Sequence, residues 1–268
     1  MGRAIETVMA SAVNPGAGGA VGVFTLSGDT GQVRSFDAPA KATLLNLIRM
    51  GTTAGFAGVR SPLLHDAVTG IRFTPAESPS VYALPGWIGQ DLTSQDTLTF
   101  DISGGAAETD LELATIYYDN VGGATARLFS PSDIQGNVEN VKPQRVAVTS
   151  SATAGTWVDT LLGTTENLLH ANTDYAIVGY AASVNLAAVG IKGIETGNLR
   201  VCGPGSTQEY PTTDYFWQMS VRTGKPCIPV INAANIGGLF VPCAAATASV
   251  ASTVELYLAE LTNNLPKS

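Results

Sequence analysis

The sequence predicts an all-β chain made of two tandem halves, each folded as a sandwich, a jelly roll or a barrel. Glycine and proline are frequent, at 29 and 14 of 268 residues, which is typical of short strands joined by tight turns. Strand-like segments recur roughly every 8–15 residues with turn residues between them. The order of strands, turns and breaks in the first half also returns in the second, which indicates an internal duplication.

The clearest repeat joins residues 107–120, AETDLELATIYYDN, to residues 251–264, ASTVELYLAELTNN, about 143 residues later. Both segments open with small or polar residues, alternate apolar with polar, and stop at asparagine. In the first segment the alternation places Leu111, Leu113 and Thr115 on one side of a strand. We therefore predict that these segments are equivalent strands of the two halves.

Earlier segments repeat in the same order. An offset of 132 aligns residues 41–62 with residues 173–194 and places Gly58, Val59 and Arg60 on Gly190, Ile191 and Lys192. The strand VGVFTL starts the first half as RVAVT starts the second. Three other pairs follow: 70–73 with 198–201, 74–87 with 202–216, and 96–103 with 238–245. Each half then holds about 7–8 strands in about 125 residues.

The domain limits follow from composition. Residues 1–20, which include NPGAGGA, predict a flexible arm, and residues 263–268 predict a C-terminal tail. The polar stretch 130–146 has one glycine and two prolines and is interpreted as a linker, so the first jelly roll spans 21–135 and the second 136–262. Helix is expected only as one or two turns, within 157–170 and 61–70.

Composition excludes several function classes. Apolar residues make up 45% of the chain and charged residues only 13%, so much of the surface is expected to lie against other copies. The net charge of −8, with dispersed basic residues, argues against direct or sequence-specific nucleic-acid binding. We see no signal peptide and no apolar run long enough to span a membrane, so a soluble, unprocessed protein is expected.

Candidate catalytic groups are few, and the prediction is that the chain is not an enzyme. The two histidines, His65 and His170, lie one in each half, so neither half has the two or three histidines of a metal-binding jelly roll. A serine-protease triad would need one of them, and no G-x-S-x-G motif marks a catalytic serine. Three carboxylates, Asp91, Asp96 and Asp101, have the wrong spacing for a calcium loop. No cofactor is predicted, and a structural cation is left open.

The three cysteines, Cys202, Cys227 and Cys243, all fall in the second half without a C-x-x-C pair. An odd number without such spacing argues against a disulfide framework and a zinc site. Buried free thiols are predicted, and one disulfide with one free thiol is the alternative.

The aromatic cluster in residues 209–218 is the most distinctive local feature. Its candidate contact residues are Tyr210, Tyr215, Phe216 and Trp217. Such rings can line a sugar site or a subunit contact. The other interpretation is that Phe216 and Trp217 anchor a strand, with one ring in the core and one at a subunit seam.

With two sandwich halves, little charge and no catalytic set, the chain resembles the double jelly-roll major capsid proteins of icosahedral viruses, many of them bacteriophages. The resemblance lies in the duplicated strand order over roughly residues 21–262. It implies two tandem eight-stranded jelly rolls per chain and a pseudo-hexameric homotrimer that tiles a self-assembling shell. It also implies that the chain is made in the host cytoplasm and located in the virion, with a penton protein and possibly an internal membrane as partners.

Two other function classes stay open. A spike, decoration or tail component would share a β-rich sequence without catalytic residues, and the internal duplication is what distinguishes the capsid interpretation from it. A β-sandwich carbohydrate-binding module would use Tyr210, Tyr215 and Trp217 as a stacking platform.

Overall fold

The computed structural model of the chain describes twelve segments. They are residues 2–13, 21–23, 25–26, 31–50, 57–64, 70–73, 80–83, 89–103, 109–120, 126–182, 186–205 and 212–266.

The described residues of the first half form ten strands. They are β1 (Ala4–Val13), β2 (Val21–Val23), β3 (Thr25–Leu26), β4 (Lys41–Met50), β5 (Ala57–Arg60), β6 (Ile71–Phe73), β7 (Ser80–Ala83), β8 (Gln90–Leu92), β9 (Thr99–Ser103) and β10 (Thr109–Asp119). They make one sheet in the order β3-β1-β10-β4-β7, with β8 also on β4, and a second sheet in the order β2-β9-β5-β6.

Within the second half, the part of the chain that the structure describes forms nine strands and two helices. The strands are β11 (Leu128–Phe129), β12 (Val138–Thr149), β13 (Val158–Leu161), β14 (Asp174–Ala182), β15 (Ala188–Ile191), β16 (Val201–Pro204), β17 (Ile228–Asn232), β18 (Phe240–Ala244) and β19 (Ala251–Leu261). The helices are α1 (Pro131–Ile134) and α2 (Tyr215–Thr223), and 3₁₀ turns span Gln135–Asn137, Ile194–Thr196 and Ala233–Gly238. The sheets run β11-β17-β14-β19-β12 and β13-β18-β15-β16.

The two halves share one topology. Without β3, β8 and β11, eight strands remain in each half, and they pair in the same order. In the first half the sheets are β1-β10-β4-β7 and β2-β9-β5-β6; in the second they are β12-β19-β14-β17 and β13-β18-β15-β16. Two antiparallel four-stranded sheets built from eight strands make a jelly roll. The predicted all-β fold of two tandem eight-stranded jelly rolls is therefore confirmed.

Each sandwich buries the inner faces of its two sheets in the same apolar core cluster. In the second sandwich the alternation is plain, since Val254, Leu256 and Leu258 are buried while Thr253 is exposed. In the first sandwich β10 is buried at every position from Asp110 to Tyr118. A strand that is buried on both faces must be covered from outside its own sandwich, and the second half supplies that cover.

The first and last limits of the domains need correction. The predicted flexible arm is wrong for Ala4–Val13, because this segment is β1 and pairs along its whole length with β10. Residues 14–20 of the arm lie outside the described residues. The C-terminal tail is docked at its start, where Leu265 N donates to Asp174 Oδ2 at 2.8 Å.

The predicted linker is also wrong over most of its length. Residues 130–146 contain α1, a 3₁₀ turn and the first nine residues of β12. The preceding strand β11 already pairs with β17 of the second sandwich, so the second half begins before residue 136. Val138–Val141 are exposed at every position, which removes the alternation that would have marked them as strand.

Helix lies elsewhere than predicted. Within residues 157–170 the structure has the strand β13, and the described part of 61–70 is a turn. The nine-residue helix α2 instead holds Phe216 and Trp217, so the interpretation that these two residues anchor a strand is wrong. It ends at Gly224, whose φ of 65° closes the helix in the left-handed conformation.

The equivalence of strands is confirmed, but two registers differ from those predicted. A bulge leaves Leu45 without a partner between the pairs Ile116↔Leu44 and Thr115↔Asn46. The same bulge recurs at Val178, between Ile177↔Leu258 and Gly179↔Tyr257. The bulges make Thr115 equivalent to Tyr257. The offset between β10 and β19 is therefore 142 (257 minus 115), one less than predicted.

The predicted alignment of the edge strands β6 and β16 is shifted as well. A Cβ on Gly58 would lie 2.3 Å from Ile71 O, and one on Gly190 would lie 2.1 Å from Val201 O. These glycines therefore have the same place in the two sandwiches, as the sequence predicted. It follows that Ile71 matches Val201, so residues 70–73 align with 200–203 and not with 198–201.

Candidate subunit interface

The two sandwiches join through an apolar contact between a sheet face and a sheet face. The outward side of β1, β10 and β4, here called the covered face, packs on the outward side of the β13-β18-β15-β16 sheet. The cluster between them is buried and contains Met9, Ile48, Met50, Leu111 and Leu113 from the first sandwich and Trp157, Ala187, Ala188, Cys202 and Ala244 from the second. Burying a side chain of the size of Leu or Met stabilises by about 1.5–3 kcal/mol, so this contact is a permanent part of the fold.

Hydrogen bonds fix the alignment of this contact. Thr7 N donates to Arg200 O at 2.8 Å, and Thr7 Oγ1 donates to Cys202 O at 3.0 Å. Cys202 N in turn donates to Thr7 Oγ1 at 2.9 Å. Asn46 Nδ2 also donates to Tyr215 OH at 3.3 Å. One buried threonine therefore satisfies the backbone of β16 across the two sandwiches.

The duplicated topology identifies the matching surface of the second sandwich. The shared bulge makes Leu113 equivalent to Glu255. The residues that lie opposite each of them on the neighbouring strands are then equivalent as well. Leu113 lies opposite Met9 and Ile48, whereas Glu255 lies opposite Arg145 and Ala181. An apolar row in the first sandwich is thus a polar and small row in the second.

This second surface, here called the open face, is the outward side of β12, β19 and β14. Its exposed or half-exposed residues are Arg145, Ala147, Thr149, Ala181, Ala251, Thr253, Glu255 and Tyr257. Arg145 Nε donates to Glu255 Oε1 at 2.6 Å, and these side chains keep 57% and 29% of their surface exposed. No part of the described chain covers these residues, in contrast to their counterparts in the first sandwich.

One end of the open face is closed by the chain itself. Ala259 and Leu261 of β19 lie in a buried cluster with Phe129 of β11 and Ile134 of α1. Trp217 of α2 packs against the same cluster and is half-buried. The surface left for another molecule is therefore the part of the sheet around Glu255.

The inner side of the first sandwich carries charges at positions where the second has aliphatic residues. Glu112 lies opposite Ala10 and Arg49 and is fully buried. Burial raises the pKa of Glu112 well above its ordinary value. The charge of Arg49 and the backbone N–H of Gly58 oppose this shift, and the charge of Asp101 adds to it. Burial therefore favours the neutral form of Glu112.

The predicted aromatic contact residues divide into three cases. Tyr215 and Phe216 are 0% exposed and form a ring cluster with Tyr180, with centroid distances of 5.3–6.0 Å. They offer no surface to a ligand or a subunit, so the contact prediction is wrong for both. The burial of Phe216 agrees with the other interpretation, in which one ring lies in the core. Trp217 is half-buried at the edge of the open face and stays a candidate contact. Tyr210 lies outside the described residues.

His170 is part of a structural network on the second sandwich. Its Nδ1 lies 2.5 Å from Glu260 Oε1, and Lys142 Nζ lies 2.7 Å from Glu260 Oε2. Tyr175 OH donates to Glu260 Oε1 at 3.1 Å. The hydrogen bond from Lys142 is the largest of the causes that lower the pKa of Glu260. His65 lies outside the described residues.

The three carboxylates Asp91, Asp96 and Asp101 have different partners. Asp91 is exposed beside Lys41, Asp96 is buried and accepts from Ser61 Oγ, and Asp101 pairs with Arg60 Nε at 2.7 Å. Among the described residues no group of three His, Cys, Asp or Glu side chains could hold a metal ion.

The three cysteines are free and buried, as predicted. Burial raises the pKa of the Cys227 thiol to about 12 and that of Cys243 to about 11. Thiols with such pKa values are poor nucleophiles. Cys202 belongs to the contact between the sandwiches, which sequence reasoning gave no reason to expect.

Solved structures of other proteins are similar to this chain. The chain is similar to the major capsid protein P2 from bacteriophage PM2. The identity is 13% and the TM-score 0.23, with 98% of this chain and 99% of that chain covered. It is also similar to the PBSX exported protein XepA, at 11% identity and a TM-score of 0.18, with 90% and 87% of the chains covered. No protein-family model and no curated protein matches the sequence.

Among the described residues, no helix has both the length and the apolar character to cross a membrane.

Proposed function

We propose that this chain is the major capsid protein of an icosahedral virus and that it assembles as pseudo-hexameric homotrimers into the shell. The observation that carries the proposal is that two equivalent faces differ in whether the chain itself covers them. The covered face of the first sandwich packs on a sheet of the second, while the open face of the second has no partner within the described chain.

A contact between two different surfaces repeats until the copies close a ring or form a filament. Within the chain, the covered face of one sandwich meets the outer side of the next sandwich. If the open face makes the same contact with the β2-β9-β5-β6 sheet of a second copy, each added chain contributes two wedges. Three chains then close a ring of six wedges with one type of contact.

The charges on the two proposed surfaces support this pairing. The match of Gly58 with Gly190 makes Arg72 the counterpart of Cys202, which lies at the centre of the contact inside the chain. Arg72 is exposed on the outward side of β6. The open face would bring Glu255 toward it, and opposite charges across an interface set its register and speed association.

The composition of the open face fits a protein that folds first and assembles later. A chain that exposed the equivalent of Met9, Leu113 and Ile48 would aggregate before it assembled. Small side chains such as Ala147 and Thr253 instead permit close approach of a second sheet, and the Arg145–Glu255 pair keeps the free surface soluble. The low total charge of 13% supports extensive contact between copies.

Charge reversal tests the proposal. Glu255→Arg places two arginines on the open face and should lower the mass of the assembled protein measured by sedimentation velocity. Glu255→Arg combined with Arg72→Glu should restore it. Asp37→Arg, a reversal in the exposed loop before β4, is the matched control and should leave the mass unchanged. Assembly of Glu255→Arg at the wild-type mass would contradict the proposed interface.

A further inference from the structure

The outer edge of the second sandwich is unusually long. Strand β12 spans twelve residues from Val138 to Thr149, and among the described strands it pairs only with β19. An uncovered edge of this length is a template on which another chain can add a strand. In the first sandwich the corresponding strand β1 is partly covered by β3, which pairs with Ala10 and Ser11.

The N–H groups of β12 that point away from β19 donate hydrogen bonds to side chains of the same chain. In an antiparallel pair, alternate residues direct their N–H groups away from the partner strand. Arg145 N donates to Glu166 Oε1, and Ala147 N donates to Thr165 Oγ1, both at 2.8 Å. Neither N–H group is therefore available to a new strand.

The remaining half of the edge is closed in two other ways. Val141 N donates to Asn140 Oδ1, the side chain of its own neighbour, at 2.8 Å. Residue 143 is proline, which has no N–H to donate and occurs in sheets mainly at edges. From residue 141 to residue 147, each outward position is thus either bonded to a side chain or lacks a donor.

The loop that supplies two of these acceptors is itself fixed to the strand. Gln144 is fully buried, and its Nε2 donates to Glu166 O while its Oε1 accepts from Leu168 N. Glu166 therefore contacts β12 through its backbone as well as its side chain. These hydrogen bonds hold the loop along the edge of β12 in a defined register. A chance contact between two surface segments would not be fixed in this way.

We propose that Asn140, Pro143, Thr165 and Glu166 form an edge seal that stops the second sandwich from adding a strand of another chain. Association is thereby confined to sheet faces. The inference does not depend on the capsid proposal, because an unsealed β12 would extend with strands from any chain, including partly unfolded copies of this one.

The test opens the edge and measures aggregation. The variant Pro143→Thr/Thr165→Val/Glu166→Ala adds one outward N–H and removes two acceptors. The control Glu139→Ala/Thr149→Val changes similar residue types on β12 and leaves the seal intact. We expect the opened variant to form thioflavin-binding aggregates at least tenfold faster than the control at equal fraction folded. Equal rates for folded samples of both would overturn the proposal.

A second measurement on the wild-type chain keeps the inference testable if the triple variant does not fold. Amide hydrogen exchange should show Arg145 and Ala147 protected at a level close to that of the paired residues of β12. Exchange at the rate of free surface amides would mean that no seal forms in solution, and the proposal would be wrong.

Discussion

Leu113 and Glu255 occupy equivalent positions in the two sandwiches, yet Leu113 is 0% exposed and Glu255 keeps a solvent-facing side chain. The difference follows from what lies against each strand. The second sandwich covers Leu113, while nothing in the described chain covers Glu255. A duplicated fold has thus specialised one copy of this face for a permanent contact and left the other accessible.

Truncation on the covered face should destabilise the whole chain. Leu113→Ala removes buried methyl groups between two packed sheets, and we expect a loss of about 2–5 kcal/mol of unfolding free energy. Glu255→Ala at the equivalent position should change it by no more than about 0.5 kcal/mol. Urea unfolding followed by circular dichroism measures both. Equal effects would mean that the sandwiches do not hold each other in solution.

The matched glycines give a test of the duplication itself. Gly58→Ala and Gly190→Ala each drive a Cβ against a backbone oxygen at 2.3 Å or less, so each should cost about 1–3 kcal/mol or more. Gly136→Ala and Gly237→Ala meet no atom within 4 Å and serve as controls. Thermal unfolding of the four variants decides the matter. A harmless change at only one of the paired glycines would show that the two sites are not equivalent.

Glu112 should make the chain less stable as the pH rises. Its folded pKa is raised by burial, whereas in the unfolded chain a glutamate titrates near about 4.3. The folded state therefore binds the extra proton, and stability falls between the unfolded and folded pKa values. Glu112→Gln removes this dependence. Its unfolding free energy relative to wild type should increase from pH 4.5 to pH 8, and a difference that is constant with pH would contradict the assignment.

Asp174 should behave in the opposite direction. Burial alone would raise its pKa, but hydrogen bonds from Arg127, Asn232 and the backbone of Leu265 outweigh burial and lower it. Its stabilisation is therefore present above the unfolded value of about 3.9 and is lost as the pH falls through the folded pKa. Asp174→Asn leaves Arg127 buried without its charge partner and should cost about 3 kcal/mol at pH 7.

Acid unfolding supplies the check on that variant. The stability difference between wild type and Asp174→Asn should shrink as the pH falls below about 4. Ser132→Ala, an exposed change on α1, is a suitable control. A difference that persisted unchanged at low pH would mean that the loss arises from packing and not from the ion pair.

The all-β class, the duplication and the strand order could be predicted because turn residues and alternation are local properties of the sequence. The phase of the alternation could not be predicted. The predicted offset of about 143 places Leu111 on Val254, and both are apolar. In the structure Leu111 faces the other sandwich and Val254 faces its own core. Which face of a strand is covered depends on the neighbouring domain, and a single strand holds no information about that.

Strand β1 and the covered face could not be predicted from the sequence, for related reasons. Strand β1 is buried on nearly every described position and so has little polar alternation to mark it. The covered face itself could not be recognised in the sequence, because Met9 and Cys202 lie far apart in the chain and share a cluster only where the two sheets pack. The aromatic residues drew attention instead, and Tyr215 and Phe216 proved to be core.

The central claim is that three chains close a six-wedged ring through the open face. Multi-angle light scattering of the purified wild-type protein, with electron microscopy of the same peak, tests it most directly. We predict a mass of three times the chain's 27.6 kDa, or closed shells built from six-sided blocks of that mass. A protein that stays at 27.6 kDa at high concentration, or blocks in which the surface around Glu255 faces solvent, would contradict it.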